Sequence, residues 1–258
     1  MAGQLLAEFF HERQVLRLTF NAPKANVLDA AMMEELRQAL EAHGREPQLK
    51  LLQFTGAGDH FSFGASVAEH TRELAPGMLK QFHGLFHLLM DLAVPTAALV
   101  SGQCLGGGLE LAIMCNVLFV DESARLGQPE ITLGVFPPPA SLILPMKIGQ
   151  ARADELLLSG RSIKGAEAQV MGLAFRCAPD KEAMLAEAEE WTIKQILPKS
   201  ASSLRFAVEA ARATFNDTLL ERLSRLEKIY ITKLMATDDA VEGIAAFLER
   251  RPPIWVNH

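Results

Sequence analysis

The strongest constraint on the fold lies in the middle of the chain. Pro95-Thr-Ala-Ala-Leu-Val100 is a strand-like run, apolar on both faces. It leads directly into Ser101-Gly-Gln-Cys-Leu-Gly-Gly-Gly-Leu-Glu110 and then into a helical pattern. A strand apolar on both faces belongs in the middle of a sheet covered on both sides. Followed by a glycine turn and a helix, it predicts a largely parallel α/β core. Three consecutive glycines at that turn leave backbone N–H groups unshielded at the positive end of a helix. Such a turn can hold a phosphate or stabilise a developing oxyanion. The spacing of Gly102, Gly106, Gly107 and Gly108 gives no GxGxxG, and no Lys-Ser/Thr follows, so it is neither a dinucleotide nor a P-loop fingerprint. Taken alone, the glycines serve close helix–strand packing equally well.

The rest of the first half repeats the alternation. Val15-Leu-Arg-Leu-Thr-Phe20 alternates as a half-buried strand does, and Asn21-Ala-Pro23 turns the chain. A helix is expected from Asp29, its N-cap, to His43 and Gly44. A second strand is expected over 51–55, closed by Gly56-Ala-Gly58-Asp59, then a helix over 78–92 and a strand over 117–120. From Ala151 onward the pattern is almost wholly helical, with a short strand over 173–176 and helices over 181–196, 200–213, 217–236 and 238–249. Pro198 and Asn216-Asp217 punctuate them. The expected division is an α/β catalytic core over 1–196 and a helical region over 197–258, which packs back on the core or docks on a neighbour.

Composition narrows the function. The 25 Lys+Arg against 31 Asp+Glu give a net charge of −6, against the basic footprint of a nucleic-acid binder. Cys104, Cys115 and Cys177 are scattered, which excludes a disulfide framework or a CxxC metal site and fits a reducing compartment. The first residues lack a basic n-region, and the longest apolar stretch, 109–120, contains Glu110 and Asn116 and falls short of the ~20 residues of a membrane helix. The expectation is a soluble, cytoplasmic protein.

Two further features can carry chemistry. Phe61-Ser-Phe-Gly-Ala-Ser-Val67 is a second glycine turn, following the second strand. Turns at the carboxyl ends of parallel strands are where open α/β sheets place ligands, so amides from both turns can converge on one oxygen. Glu110, beside the glycines on an apolar stretch, and Glu130, in Gly127-Gln-Pro-Glu-Ile-Thr-Leu-Gly134, are candidate acids. Two acids facing one cleft push one apparent pKa up, which suits general acid/base work at neutral pH.

These residues resemble the crotonase (enoyl-CoA hydratase/isomerase) superfamily over essentially the full chain. The resemblance rests on Pro23-Lys-Ala-Asn-Val-Leu28, Phe63-Gly-Ala-Ser-Val67, Gly106-Gly-Gly-Leu-Glu110, Gly127-Gln-Pro-Glu130 and Phe247-Leu-Glu-Arg-Arg251. It implies the ClpP/crotonase fold, a spiral of ββα units with a C-terminal helical trimerisation region. It implies an acyl-CoA thioester substrate, an oxyanion hole from the amides of Ala65 and Gly107, and two catalytic acids, Glu110 and Glu130. Lys24, Ala25, Val27, Ser66, Val67 and Gly106 would line the CoA and substrate path. It also implies a homo-oligomer (a trimer or dimer of trimers) and no cofactor, coenzyme A being part of the substrate. No metal, nucleic-acid or membrane partner is expected.

Two departures stand out. An acid common after the second strand is Ser66 here, where contact runs through backbone. The glycine-rich loop that ordinarily follows the second glutamate is replaced by Gly134-Val-Phe-Pro-Pro-Pro-Ala-Ser141, a stiffer and bulkier wall in which Phe136 and Pro138 would meet substrate. With His60-Phe-Ser-Phe-Gly-Ala-Ser66, Gly102-Gln-Cys-Leu105 and Ser200-Ala-Ser-Ser-Leu-Arg-Phe206, this is similar to one subgroup, the cyclohexa-1,5-diene-1-carbonyl-CoA hydratases of anaerobic benzoyl-CoA degradation. The alternatives are an ordinary 2-enoyl-CoA hydratase and a non-catalytic family member that binds RNA or a partner. His83 and His87 have the spacing of a zinc pair but lack a third ligand, and read as a packed helix. Cys104 lacks a His–Asp partner set and reads as a small buried residue. Arg250-Arg251 is either a solvated tail or a contact for a CoA phosphate.

Overall fold

The computed structural model describes residues 3–22 and 25–258. A six-stranded sheet runs β1 (Leu5–Phe10), β2 (Val15–Phe20), β3 (Leu51–Gly56), β4 (Thr96–Val100), β6 (Val117–Asp121) and β9 (Arg176–Ala178) in spatial order. Only the β1–β2 pair is antiparallel. Every residue of β3 and β4 is buried, as two-sided apolar strands require. On one face lie α7 (Lys181–Trp191) and a π turn (Thr192–Ile196), where Met184 and Ala188 meet Leu99 and Phe119. The opposite face carries the main core, packed by α1 (Ala30–His43), α2 (Ala75–Leu92) and α3 (Gly107–Met114).

A second, three-stranded sheet joins β5 (Gln103–Leu105), β7 (Arg125–Gly127) and β8 (Ser162–Lys164). Ser62 bridges to Cys104, and Cys104 pairs with Leu126, so one short segment from each of three successive units aligns in parallel. β3, β4 and β6 of the main sheet are thus each followed by a short second segment before the next helical turn, the ββα repeat. The glycine turns leave the ends of these short segments rather than the ends of the long strands; the resemblance implies such ββα units, whereas the strand pattern alone shows no second layer.

Local signals account for most elements. Asp29 caps α1, its Oδ1 accepting from Met32 N at 2.9 Å. Asp180 and Ser200 cap α7 and α8 (Ala201–Thr232) in the same way. Two expectations are corrected. The 173–176 strand is displaced to β9, because the amides of Leu173 and Ala174 turn back to the Ala168 carbonyl at the end of α6 (Gly165–Met171). Asn216-Asp217 does not divide the C-terminal helices; it lies inside the unbroken α8, which packs on α2 and on α4 (Pro138–Ile148). Helix propensity at two positions is a weak term beside the packing of Leu219, Leu223 and Tyr230. After α5 (Gln150–Ser159) and α8, the chain closes with α9 (Asp238–Glu249). No helix among the described residues is long and apolar enough to cross a membrane.

Candidate active site

Three turns converge at the amino end of α3. Ser62 Oγ donates to the Asn26 carbonyl at 2.7 Å and accepts from Gly64 N at 3.0 Å, fixing the first turn. Gly64 (φ +98°) lies so close to the second turn that a Cβ would fall 2.8 Å from Leu105 O and 3.3 Å from Gly107 N. The three glycines then divide the work. Gly106 adopts φ 50° and ψ −129°, and a side chain there would meet Glu130 Oε1 at 2.8 Å. Gly107 opens α3 so close to the first turn that a Cβ would stand 3.2 Å from Ala65 N. Gly108 packs on Ser62, leaving 2.7 Å for any added carbon. Among the described residues neither the Ala65 nor the Gly107 amide donates to a protein acceptor. Two adjacent free N–H groups at a helix start form the geometry that stabilises an oxyanion.

The two acids stand beside these amides. Glu110, on the first turn of α3, is buried, and its Oε1 accepts from Ala140 N at 2.9 Å. That bond explains the proline run. Pro137, Pro138 and Pro139 occupy the N-cap and first two positions of α4 and carry no N–H, so Ala140 has the first amide needing a partner. The wall expected over 134–141 is therefore partly helical: it starts as a turn and becomes α4 at Pro138. Glu130 sits in the first turn of a 3₁₀ segment (Pro129–Leu133), partly open to the cleft. With its amide nitrogen turned toward Glu130, the orientation that satisfies both groups, Gln128 donates to both carboxylate oxygens at 3.0 Å. Burial pushes the Glu110 carboxyl up to about 8 against the bond from Ala140. Glu130 is raised well above its ordinary value by burial and then by the charge of Glu110. Both carboxyls are thus shifted toward the protonated form and titrate as a coupled pair, which suits proton exchange with a water.

Ala65, Val67, Gly106, Gly107, Glu110, Glu130, Phe136 and Pro138 line a single cleft. Ala25, Val27 and Ser66 are half-buried and lie outside its lining. The Ala25 carbonyl accepts from Phe63 N at 3.0 Å, and Leu28 pairs with Ala65, so that stretch braces the first turn. Lys24 lies outside the described residues. The cleft also takes in Met78, Leu79 and Phe82 from α2 and Tyr230 from α8, none of which the sequence reading singled out. A roomier groove, about 610 Å³, runs between the segment 71–73 and α9. Two of its charged groups are already engaged, Arg72 with the Met235 carbonyl and Glu242 with Arg251, and its lining includes neither the free amides nor the two acids.

Other sequence candidates find structural work. His83 is buried and pairs through Nδ1 with Glu227 of α8, His87 is exposed, and no metal-ligand cluster occurs among the described residues. Cys104 is fully buried, and burial pushes its thiol up. Arg251 is held by Glu242 and Glu249. At the carboxyl end of α3, Arg212 of α8 donates to the Met114 and Cys115 carbonyls at 2.6 and 2.8 Å, and Lys147 of α4 donates to Cys115 O at 2.9 Å.

Known proteins share this architecture. The chain matches the enoyl-CoA hydratase/isomerase family over residues 11–258. It is 49% identical over 243 residues to cyclohexa-1,5-dienecarbonyl-CoA hydratase of Thauera aromatica, covering 94% of this chain and 93% of that protein. It is 33% identical over 248 residues to 2,3-dehydroadipyl-CoA hydratase of Escherichia coli K12, covering 94% and 95%. Among solved structures, an enoyl-CoA hydratase from Mycobacterium avium subsp. paratuberculosis K-10 matches with a TM-score of 0.86 at 25% identity, over all of both chains. The ββα spiral is the crotonase fold, and the chain belongs to the enoyl-CoA hydratase/isomerase family as one of its hydro-lyases.

Proposed function

We propose that the chain adds water to a cyclic dienoyl-CoA, converting cyclohexa-1,5-diene-1-carbonyl-CoA to 6-hydroxycyclohex-1-ene-1-carbonyl-CoA, a step of anaerobic benzoyl-CoA degradation. The observation that carries this reading is a cleft in which two free amides and two adjacent acids share one lining with the stiff start of α4. The 49% identity to the Thauera aromatica hydratase supports it.

In this mechanism the Ala65 and Gly107 amides hold the thioester oxygen as negative charge develops on it. Glu110 takes a proton from a water that attacks the ring β-carbon. The resulting dienolate is protonated by Glu130 at its far end, leaving one double bond conjugated with the thioester. The two acids exchange roles in the reverse direction. The thioester itself polarises the substrate, so no step is assigned to a metal or redox cofactor. Ala25, Val27, Ser66 and Val67 would line the path of the CoA arm. Assembly into trimers, single or paired, would cover Phe206 and Leu220 of α8 and Phe247 and Leu248 of α9, which are exposed in one chain. We place the enzyme in the cytoplasm with no nucleic-acid or membrane partner.

The test is a side-by-side assay of cyclohexa-1,5-diene-1-carbonyl-CoA and crotonyl-CoA. A higher kcat/KM for the cyclic diene is expected. Preference for crotonyl-CoA would overturn the cyclic assignment in favour of an ordinary 2-enoyl-CoA hydratase, and acyl-CoA turnover at neither would favour a non-catalytic binder.

A further inference from the structure

Tyr230 is the only tyrosine in the chain, 1% exposed, and it reaches the acyl cleft from α8. Its ring lies edge-on to Phe136 at 5.4 Å between centroids, so it backs the wall at the start of α4. Phenylalanine would make that packing equally well, yet the hydroxyl is buried with no partner among the described residues. Buried hydroxyls without partners are destabilising, and those that persist beside a cleft serve whatever enters it. The turn that carries Tyr230 is anchored, because Glu227, three residues earlier on α8, pairs with His83 of α2.

The oxygens that meet this hydroxyl can be sorted by place. The thioester oxygen belongs to the two backbone amides. The remaining oxygen in the cleft is that of the water, which becomes the hydroxyl of the product. Burial and the charges of Glu130 and Glu110 hold the phenol above its ordinary value, so it stays protonated and donates. We propose that Tyr230 Oη donates a hydrogen bond to the oxygen that is added, first as water and then as product alcohol. The water gives its protons toward the carboxylates and one lone pair to Tyr230, which leaves the other lone pair free for the ring carbon. Tyr230 is then the residue by which the cleft distinguishes a hydroxyacyl-CoA from its deoxy counterpart. This role rests on the hydratase reading but not on the identity of the acyl group.

The experiment compares wild type with Tyr230→Phe in binding 6-hydroxycyclohex-1-ene-1-carbonyl-CoA against cyclohex-1-ene-1-carbonyl-CoA, and 3-hydroxybutyryl-CoA against butyryl-CoA. Whichever pair corresponds to the acyl group that wild type hydrates is the informative one, so a failed cyclic assignment leaves this test intact. The expected result is that Tyr230→Phe loses about tenfold of the preference for the hydroxylated ligand, the worth of one neutral hydrogen bond. Affinity for the deoxy ligand should be unchanged and kcat should fall. Wild-type protein labelled at the tyrosine ring carbon that bears oxygen supplies an independent readout, since one residue gives one NMR signal. That signal should shift with the hydroxylated ligand and far less with the deoxy one. An unchanged preference in Tyr230→Phe, or a tyrosine signal that responds equally to both ligands, would overturn the proposal.

Discussion

The two ends of α3 are opposites. At its amino end the backbone is left open: three glycines strip away side chains, and the Gly107 amide faces the cleft beside that of Ala65. At its carboxyl end Arg212 and Lys147 reach from two other helices to the Met114 and Cys115 carbonyls. Both ends follow from one dipole, which favours anions at the start and cations at the finish. The difference teaches that an eight-residue helix can leave its start open while the rest of the fold holds its finish. Lys147 is itself strained by this arrangement, since burial and the neighbouring Arg212 lower its ammonium to about 8.

The sharpest way to break the comparison is at the open end. Glu110→Gln should lower hydration by ~10²–10⁴-fold in kcat while leaving saturated acyl-CoA binding nearly intact, and Glu130→Gln should behave alike. Near-wild-type rates after either change would remove the acids from the mechanism. The same variant tests the electrostatics. The Glu110 carboxyl is raised from 4.5 to about 8 in the folded chain, so between those values the folded chain holds more protons than the unfolded one. Its contribution to stability is therefore fully present below the lower value and is lost as pH rises toward the upper. Denaturant midpoints measured across this window should fall less steeply with pH in Glu110→Gln than in wild type.

Next in size is Gly107→Pro. Proline is tolerated at the first helical position and removes the amide hydrogen while adding ring carbons, so kcat should drop by ~10²–10³-fold, with alanine as the control for crowding. Gly107→Ala keeps the N–H and crowds Ala65 and Phe82, whose nearest atoms lie 3.2 Å from the new carbon, so it should lose much less. Equal losses in the two variants would mean that crowding, not the donor, sets the rate. The smallest effect on rate belongs to the tied end. Arg212→Met should cost about 2–3 kcal/mol of stability and roughly 4–12 °C in Tm, with kcat at low temperature nearly unchanged. A loss of kcat as large as that of Gly107→Pro would show that the clamp sets the oxyanion geometry directly.

The open end was legible in the sequence and the tied end was not. Glycine spacing, two acids and a proline run are local patterns, and Glu110, Glu130, Ala65 and Gly107 all line the cleft. Arg212 and Lys147 join α3 only through tertiary structure, and no spacing marks a side chain that reaches a carbonyl almost a hundred residues away. Tyr230 was missed for the same reason, since it stands a hundred residues beyond Glu130. β5, β7 and β8 have three residues each, too short for any periodicity to register. β1 escaped notice because, as an edge strand, it leaves all six of its residues exposed or half-exposed. Asn216 and Asp217 misled because local preference yields to packing along α8.

The proline start of α4 has one more consequence. Bond-making groups sit on α3 and the 3₁₀ segment after β7, whereas Phe136, Pro137 and Pro138 give the acyl chamber its outline from a different stretch of chain. Two backbone N–H groups tie them together: Ala140 N donates to Glu110 Oε1 and Val135 N donates to the Glu130 carbonyl at 3.1 Å. Reactivity and shape are therefore nearly modular: residues 136–139 can be redrawn for another acyl outline, provided positions 135 and 140 keep their N–H groups to hold the acid pair in place.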